Sequence, residues 1–332
     1  MVLPSSGQID LASIQAEFGG VNPIGIDEYY RNGSYITSNN VNVPTSGEIN
    51  FANFYGAIAE IVVIISTTTT NLDVSSLFGS YWTQTVPKRV VINSGVIVGA
   101  TNTSNYALNI PSGFAGTLKV DNNGSIQGAG GAVNSGTGGN AIFAGASGIT
   151  INNLGTIYAG GGGGGSGGTG GAGYYTYVYN SGSANALTGC NYNLVCSNAF
   201  GNSYCASNGS CSNFVDVRGV RYGGGTICNA CYTTATAYSS GGAGGSGGIG
   251  QGYNQSAGTG ATGSAGGTNA GTGGTGGTGG AWGTTGSTGI VGANGNNGAG
   301  VAGTGGGLAG YYIVNNGNIT WTTTGTVAGR VG

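Results

Sequence analysis

The chain has 332 residues, of which 77 are glycine and only 16 are charged, with no histidine and a net charge of −2. Collagen is excluded, because it needs glycine at every third position and abundant proline, and only 5 prolines are present. A highly charged disordered tail, a nucleic-acid or anionic-lipid binder built on basic patches and an enzyme using histidine as general base are disfavoured on the same counts.

The length suggests two or three domains. The first residues, Met1 to Gly7, lack a basic n-region and a long apolar h-region, so no standard export leader is expected. The most apolar run, Ile61 to Ile65, is far shorter than the ~20 residues that cross a bilayer, so membrane insertion is not expected.

Residues 1–57 contain an internal repeat. Pro4-Ser-Ser-Gly-Gln-Ile-Asp-Leu-Ala-Ser-Ile14 recurs as Pro44-Thr-Ser-Gly-Glu-Ile-Asn-Phe-Ala-Asn-Phe54. In each copy Pro and Gly make a turn, and Asp10 or Asn50 is placed to cap a short helix. Between the copies, Asn22 to Tyr30 reads as another turn and short helix. This stretch serves either as a compact structural module or as a docking unit.

Residues 58–160 are rich in β-branched side chains. Val90 to Val98, Leu118 to Ile126 and Ile149 to Ile157 share one design: an apolar alternation, an Asn-rich Gly turn, then a second alternation. Such units predict regularly spaced strands, arranged as stacked solenoid rungs or as a small sandwich. A related unit, Ile313 to Trp321, is expected to close the fold near the C-terminus.

From residue 160 onward glycine dominates, with dense tracts at 160–173, 241–250, 271–280 and 303–310. The third has a strict Gly-Gly-Thr period, and three residues per turn is the polyproline II repeat, which forms no internal hydrogen bonds. A single such helix cannot offset ~1–2 kcal/mol of backbone entropy per residue. Several side by side can pair each N–H with a neighbour's C=O. A flexible linker would not be interrupted by aromatics and by Ile249, Ile290, Val291, Val301 and Leu308, so a packed polyglycine II bundle with long loops is expected over residues 161–332.

The longest loop, 174–240, holds Tyr174, Tyr175, Tyr177, Tyr179, Tyr192, Tyr204, Phe214, Arg221, Tyr222, Tyr232 and Tyr238 among many Ser and Asn. Tyrosine supplies contact area at low entropic cost, and Ser and Asn adapt their hydrogen bonds, as in antibody loops. These residues, with Tyr253 in a shorter connection, are the candidate binding set. Arg218 is read as pairing with Asp216, whereas Arg221 beside Tyr222 could grip an anionic group. Trp282 is expected to pack on the glycine slab.

All six cysteines, Cys190, Cys196, Cys205, Cys211, Cys228 and Cys231, lie in the same loop. Only Cys228 and Cys231 have C-x-x-C spacing, with no second pair or histidine to complete a zinc site. Disulfides, which persist outside the cytosol, are expected in one of fifteen pairings, and no metal or cofactor is. A chain made in the cytosol and released by lysis reconciles the cysteines with the missing leader. Catalysis is not expected either: beyond Asp121 the only carboxylate is Asp216, whereas a glycosidase needs two on one cleft.

Two resemblances follow from these residues. The segment from Pro4 through Glu17-Phe18-Gly19-Gly20, Glu28-Tyr29-Tyr30 and Pro44 to Ala57 resembles a module near the N-termini of tail-fibre and structural proteins of tailed bacteriophages. That resemblance implies attachment of residues 1–57 to another tail-fibre or baseplate protein. The glycine tracts with aromatic loops, together with Asn152 to Gly161 and Gly310 to Gly332, are similar to the tip adhesins of T-even-type phages. There, packed polyglycine II helices carry loops that contact the bacterial surface. The six-cysteine loop and the N-terminal module depart from that pattern.

The sequence reading is therefore a mainly β and irregular protein with an attachment module (1–57), a β-rich neck (58–160) and a glycine-rich receptor-binding part (161–332). Its expected role is a virion adhesin at the tail-fibre tip, extracellular after host lysis, that binds a host surface protein or glycan as a homotrimer or a single-copy cap. The alternative is a glycine-rich extracellular filament or ice-binding protein.

Overall fold

The computed structural model describes residues 3–37, 40–182, 194–197, 203–206, 214–215, 221–222 and 231–332, with side chains described outside 178–234. Each copy of the N-terminal repeat does what its capping residue dictates. Asp10 accepts from Ser13 N at 2.7 Å and starts helix α1 (Leu11–Phe18). Asn50 accepts from Ala52 N at 3.1 Å and starts a single 3-10 turn, Phe51–Phe54. A second 3-10 turn lies between them at Ile26–Glu28. Ile14, Phe18, Tyr29, Ile36 and Phe54 meet in one cluster, and the buried Tyr29 hydroxyl donates to Gly19 O at 2.7 Å.

The alternating segments form a three-sided parallel solenoid, not a sandwich. Its first three rungs are β1 (Ile61–Ile65), β2 (Thr69–Thr70) and β3 (Leu72–Asp73); β4 (Lys88–Ile92), β5 (Ile97–Gly99) and β6 (Leu108–Ile110); and β7 (Leu118–Asn122), β8 (Ser125–Gln127) and β9 (Ile142–Ala144). The fourth begins with β10 (Ile149–Asn153) and β11 (Thr156–Tyr158). There the chain leaves. It passes through glycine tracts and strands β12 (Gly173–Gly182), β13 (Leu194–Ser197), β14 (Ser203–Ala206), β15 (Phe214–Val215), β16 (Arg221–Tyr222) and β17 (Cys231–Ser239). It returns as β18 (Tyr311–Val314), which pairs in parallel with β9 and completes the fourth rung. Strands β19 (Ile319–Thr323), β20 (Thr326–Ala328) and β21 (Arg330–Val331) make the fifth.

The glycine-rich stretch is thus an excursion from one corner of a rung, and the solenoid is built from both sides of it. Ile313 to Trp321 does lie in the closing rungs, but it is not equivalent to the earlier units. It spans β18 and β19, which lie in different sheets, so its Asn-Gly turn sits at another corner. The true equivalent of β10–β11 is β19–β20.

Alternation places one column of side chains inside: Val63, Val90, Val120, Ile151 and Trp321 are in register across all five rungs. A buried Val or Ile contributes about 1.5–3 kcal/mol, which explains why this part can fold with so few apolar residues. Helix α2 (Val74–Phe78) adds Val74 and Phe78 to the same core.

At the corner after β7 and β10 the core turns polar. Asn122 and Asn153 are fully buried; Asn122 Nδ2 donates to Asn153 Oδ1 at 2.7 Å, and its Oδ1 accepts from Gly124 N at 3.2 Å. Asn153 Nδ2 reaches Thr324 O at 2.5 Å in the next rung. Removing one amide leaves its buried partners unpaired, at about 1–3 kcal/mol. Asn153→Ala is therefore expected to lower unfolding stability by about 2 kcal/mol in urea titrations, and Asn123→Ala, exposed at the corner between β7 and β8, by far less.

Lys88 occupies an inward position and is fully buried. Its ammonium donates to Gln84 O, Val86 O and Ala115 O at 2.6, 2.9 and 2.7 Å, tying β4 to the segments before β4 and β7. Burial pushes its pKa below the ordinary lysine value of 10.5. The unfolded chain then holds the proton more tightly than the folded one, so this group raises stability as pH climbs from the lowered value toward 10.5. The difference in urea midpoint between the wild type and Lys88→Met is expected to move in the wild type's favour across that window. A pH-independent difference would show that burial does not perturb this amine.

Six tracts follow the corner: residues 160–172, 241–251, 257–267, 271–280, 285–294 and 299–310. Their hydrogen bonds run between tracts and repeat every third residue. Gly161, Gly164, Gly167 and Gly170 donate to Gln251, Gly248, Gly245 and Gly242 of the second tract at 2.8 Å. The intervening set Gly162, Gly165, Gly168 and Gly171 donates to Thr284, just before the fifth tract, and to Ser287, Ile290 and Ala293 within it.

Glycine usage follows the number of neighbours. The first tract touches the second, fourth, fifth and sixth, and also both legs of a short spur at 128–140, through Gly131 N to Gly161 O and Gly163 N to Gly136 O. Fully ringed, residues 160–165 are glycine without exception. Where the spur ends, the positions facing it become Ser166, Thr169 and Ala172. The fourth tract has neighbours on fewer sides and is Gly-Gly-Thr, its Thr272 and Thr278 exposed. The fifth needs only Gly286, Gly289 and Gly292. A Cβ at the ringed glycines would overlap a neighbouring carbonyl, Gly277 O for Gly164 and Thr304 O for Gly165.

Candidate binding surface

The tracts run out from the solenoid and back, so their connections gather at two ends. At the near end, the Tyr253 ring lies against Gly99, where even a Cβ would overlap it. The Trp282 ring stacks on Tyr158 with centroids 5.5 Å apart. Trp282 N donates to Gln251 Oε1 at 3.1 Å. The sequence led us to expect Trp282 on the glycine slab; its ring packs instead on β11 of the solenoid. Tyr253 departs from expectation: it is half-buried at the solenoid side and stands apart from the other tyrosines of the predicted receptor-binding set.

At the far end, β12 and β17 form an antiparallel hairpin with Tyr174 opposite Tyr238, Tyr175 opposite Ala237 and Tyr177 opposite Ala235. Successive residues of a strand face opposite sides, so Tyr175 and Tyr177 share one face, their centroids 6.1 Å apart. Tyr174 and Tyr238 share the other. All four are exposed, Tyr238 most of all at 73%. Small alanines opposite Tyr175 and Tyr177 leave those rings room across the ladder.

Two other connections hold the hairpin at its root. Asn269 and Asn296 each donate from Nδ2 to Tyr174 O at 3.0 Å, and Asn296 Oδ1 accepts from Tyr174 N at 2.8 Å. Asn296 N also donates to Asn269 O at 3.0 Å, and Ser239 Oγ to Thr268 O at 2.5 Å. Three far connections thus meet in one surface, uncharged among the residues whose side chains are described. Sequence reasoning missed this clamp. Its signal was the alternation of tract direction, which puts Asn269 and Asn296 at the same end as Tyr174. Asn296→Ala removes two of the three bonds to Tyr174, and faster amide exchange is expected at Tyr174 and Tyr175 with the solenoid amides unchanged.

The other predicted residues are placed by backbone only. Tyr179 lies on β12, Tyr232 and Cys231 on β17, Cys196 on β13, Tyr204 and Cys205 on β14, Phe214 on β15, and Arg221 with Tyr222 on β16. Tyr192, Cys190, Cys211 and Cys228 lie outside the described residues. Among the described residues no three His, Cys, Asp or Glu side chains come together as metal ligands, and no helix is long and apolar enough to cross a membrane.

Residues 60–215 match the model of a family described as phage tail fibre adhesin Gp38. That span takes in the first four rungs up to β11, the spur, the first tract and the outgoing strand of the hairpin. Among solved structures the chain is similar to the gp37–gp38 adhesin tip complex of the bacteriophage S16 long tail fibre. Identity is 17% and the TM-score 0.40, with 86% of this chain and 88% of that chain covered. No curated protein matches the chain.

Proposed function

We propose that this relative of the phage tail fibre adhesins works at the tip of a tail fibre, binding a host surface protein or glycan through the tyrosine hairpin at the far end of its glycine array. The observation that carries the reading is the hairpin itself: four exposed tyrosines, rooted by Asn269 and Asn296 on a close-packed glycine support. A rigid aromatic surface binds with little loss of entropy.

In this reading the tracts are polyglycine II helices. Supporting that, their bonds change neighbour with every residue and repeat every third, as a three-fold screw requires. The solenoid is the neck, and residues 1–57 dock to another tail-fibre or baseplate protein, which places the chain on the virion. The six cysteines staple the 174–240 loop as disulfides. Binding without catalysis needs no more than this.

Labelled full-length chain should bind host cells and lose binding to cells selected for resistance to the phage. Equal binding to both would sink the adhesin reading.

A further inference from the structure

The spur at 128–140 ends halfway along the first tract, and the position it occupies continues beyond it as an open groove. In the filled half, Gly131 donates to Gly161 O and accepts from Gly250 N at 2.9 Å, both within one residue of the spur. One turn further, Ser135 N donates to Gly164 O at 2.9 Å and Asn134 Oδ1 accepts from Gly247 N at 2.9 Å. By the three-residue repeat, the next groups in these two rows are Gly167 O and Gly170 O on one side and Gly244 N and Gly241 N on the other. Among the described residues none of these four has a hydrogen-bond partner. Exposure changes at the same place: Gly161, Gly164, Gly247 and Gly250 are buried, whereas Gly167, Gly170, Gly241 and Gly244 are half-exposed. The groove ends at Ala172, beside the root of the tyrosine hairpin.

We propose that this open half binds an extended, polyproline II-like peptide segment of the surface partner, with glycine at every third residue. The spur shows the bonding such a segment would continue: one residue in three donates to the first tract and accepts from the second. Glycine is needed there because a Cβ at Gly131 would overlap Gly163 N of the first tract as well as Gly136 O of the spur's second leg. The two residues between face outward, and proline is tolerated at them because their N–H groups are not used. An uncharged groove of unpaired backbone groups favours a neutral polypeptide. The identity of the occupant as a segment of the host receptor rests on the adhesin reading.

The test uses full-length protein and a nine-residue peptide, acetyl-(Gly-Pro-Ala)3-amide, followed by NMR of glycine amides. Saturable shifts at Gly241 and Gly244 are expected, absent with a peptide carrying leucine for each glycine and absent in Thr169→Trp, whose side chain fills the groove. Thr288→Trp, on the exposed side of the fifth tract, should bind like the wild type. No shift at those two amides, or equal shifts in Thr169→Trp, would overturn the proposal. Cell binding separates the two readings. A ten-fold loss in Thr169→Trp supports the groove as part of the receptor contact. Loss on tyrosine substitution with Thr169→Trp unaffected overturns the groove's receptor occupant and leaves the hairpin reading standing.

Discussion

Gly164→Val is expected to unfold the glycine array. Gly164 lies in the ringed stretch of the first tract, donating to Gly248 O and accepting from Ser135 N. A side chain there would overlap the backbone around Gly277 and Thr278, and neither can retreat without breaking bonds to a third tract. Overpacking that cannot relax belongs to the severe class of substitutions, about 4 kcal/mol or more, or roughly 10 °C in melting temperature for a unit of this size. Thr169→Val, five residues along the same tract but exposed, should shift melting by less than about 2 °C. Calorimetry of both variants checks the pair. Similar small shifts would mean that the array tolerates side chains in its interior, and the close packing described above would be wrong.

Removing the hairpin tyrosines should have the second large effect, on binding and not on folding. Tyr174 and Tyr238 face each other across β12 and β17 and are both exposed, Tyr238 the more so. The clamp from Asn269 and Asn296 engages only the backbone of Tyr174, so Tyr174→Ala leaves the hairpin rooted. Buried aromatic anchors at interfaces are worth about 2 kcal/mol or more on truncation, about 30-fold in dissociation constant. Each single alanine variant is expected to weaken cell binding by about that factor, while Tyr253→Ala leaves binding intact because its ring faces Gly99. Equal losses for Tyr253→Ala and Tyr174→Ala would place the contact elsewhere.

The two halves of the fold were legible to different depths. Alternation at Val90 to Val98, Leu118 to Ile126 and Ile149 to Ile157 announced strands with Asn-Gly corners, and Asp10 and Asn50 announced their caps, because both signals are local. The choice of solenoid over sandwich was not local. It is settled by parallel register between rungs about thirty residues apart, and alternation alone is the same in both. Least legible was the position of the glycine stretch inside a rung. Nothing near Tyr158 marks it as the last residue before a long excursion, and its partner strand, β18, lies after residue 310. The glycine tracts did carry their own contact map: glycine in every phase where a tract is ringed, in two of three where it has fewer neighbours, in one at the edge. Read in that light, Ser166 and Thr169 mark where the spur stops.

Among the proposed binding residues, the tyrosines of 174–177 and 238 stood out by composition. Asn269 and Asn296 did not, since an asparagine in a tight turn is an ordinary turn residue. What makes them part of the site is direction, outward for odd tracts and inward for even ones, which only the packed array reveals.

The central claim is that the far end of the array is the contacting surface. Hydrogen exchange of the full-length chain, free and bound to host outer-membrane vesicles, tests it most directly. Slowed exchange is expected at residues 174–177, 236–239, 268–270 and 296–297, with the near-end connection at 251–255 unchanged. Protection confined to residues 1–57 or to 251–255, with the far end exchanging as in the free protein, would contradict it.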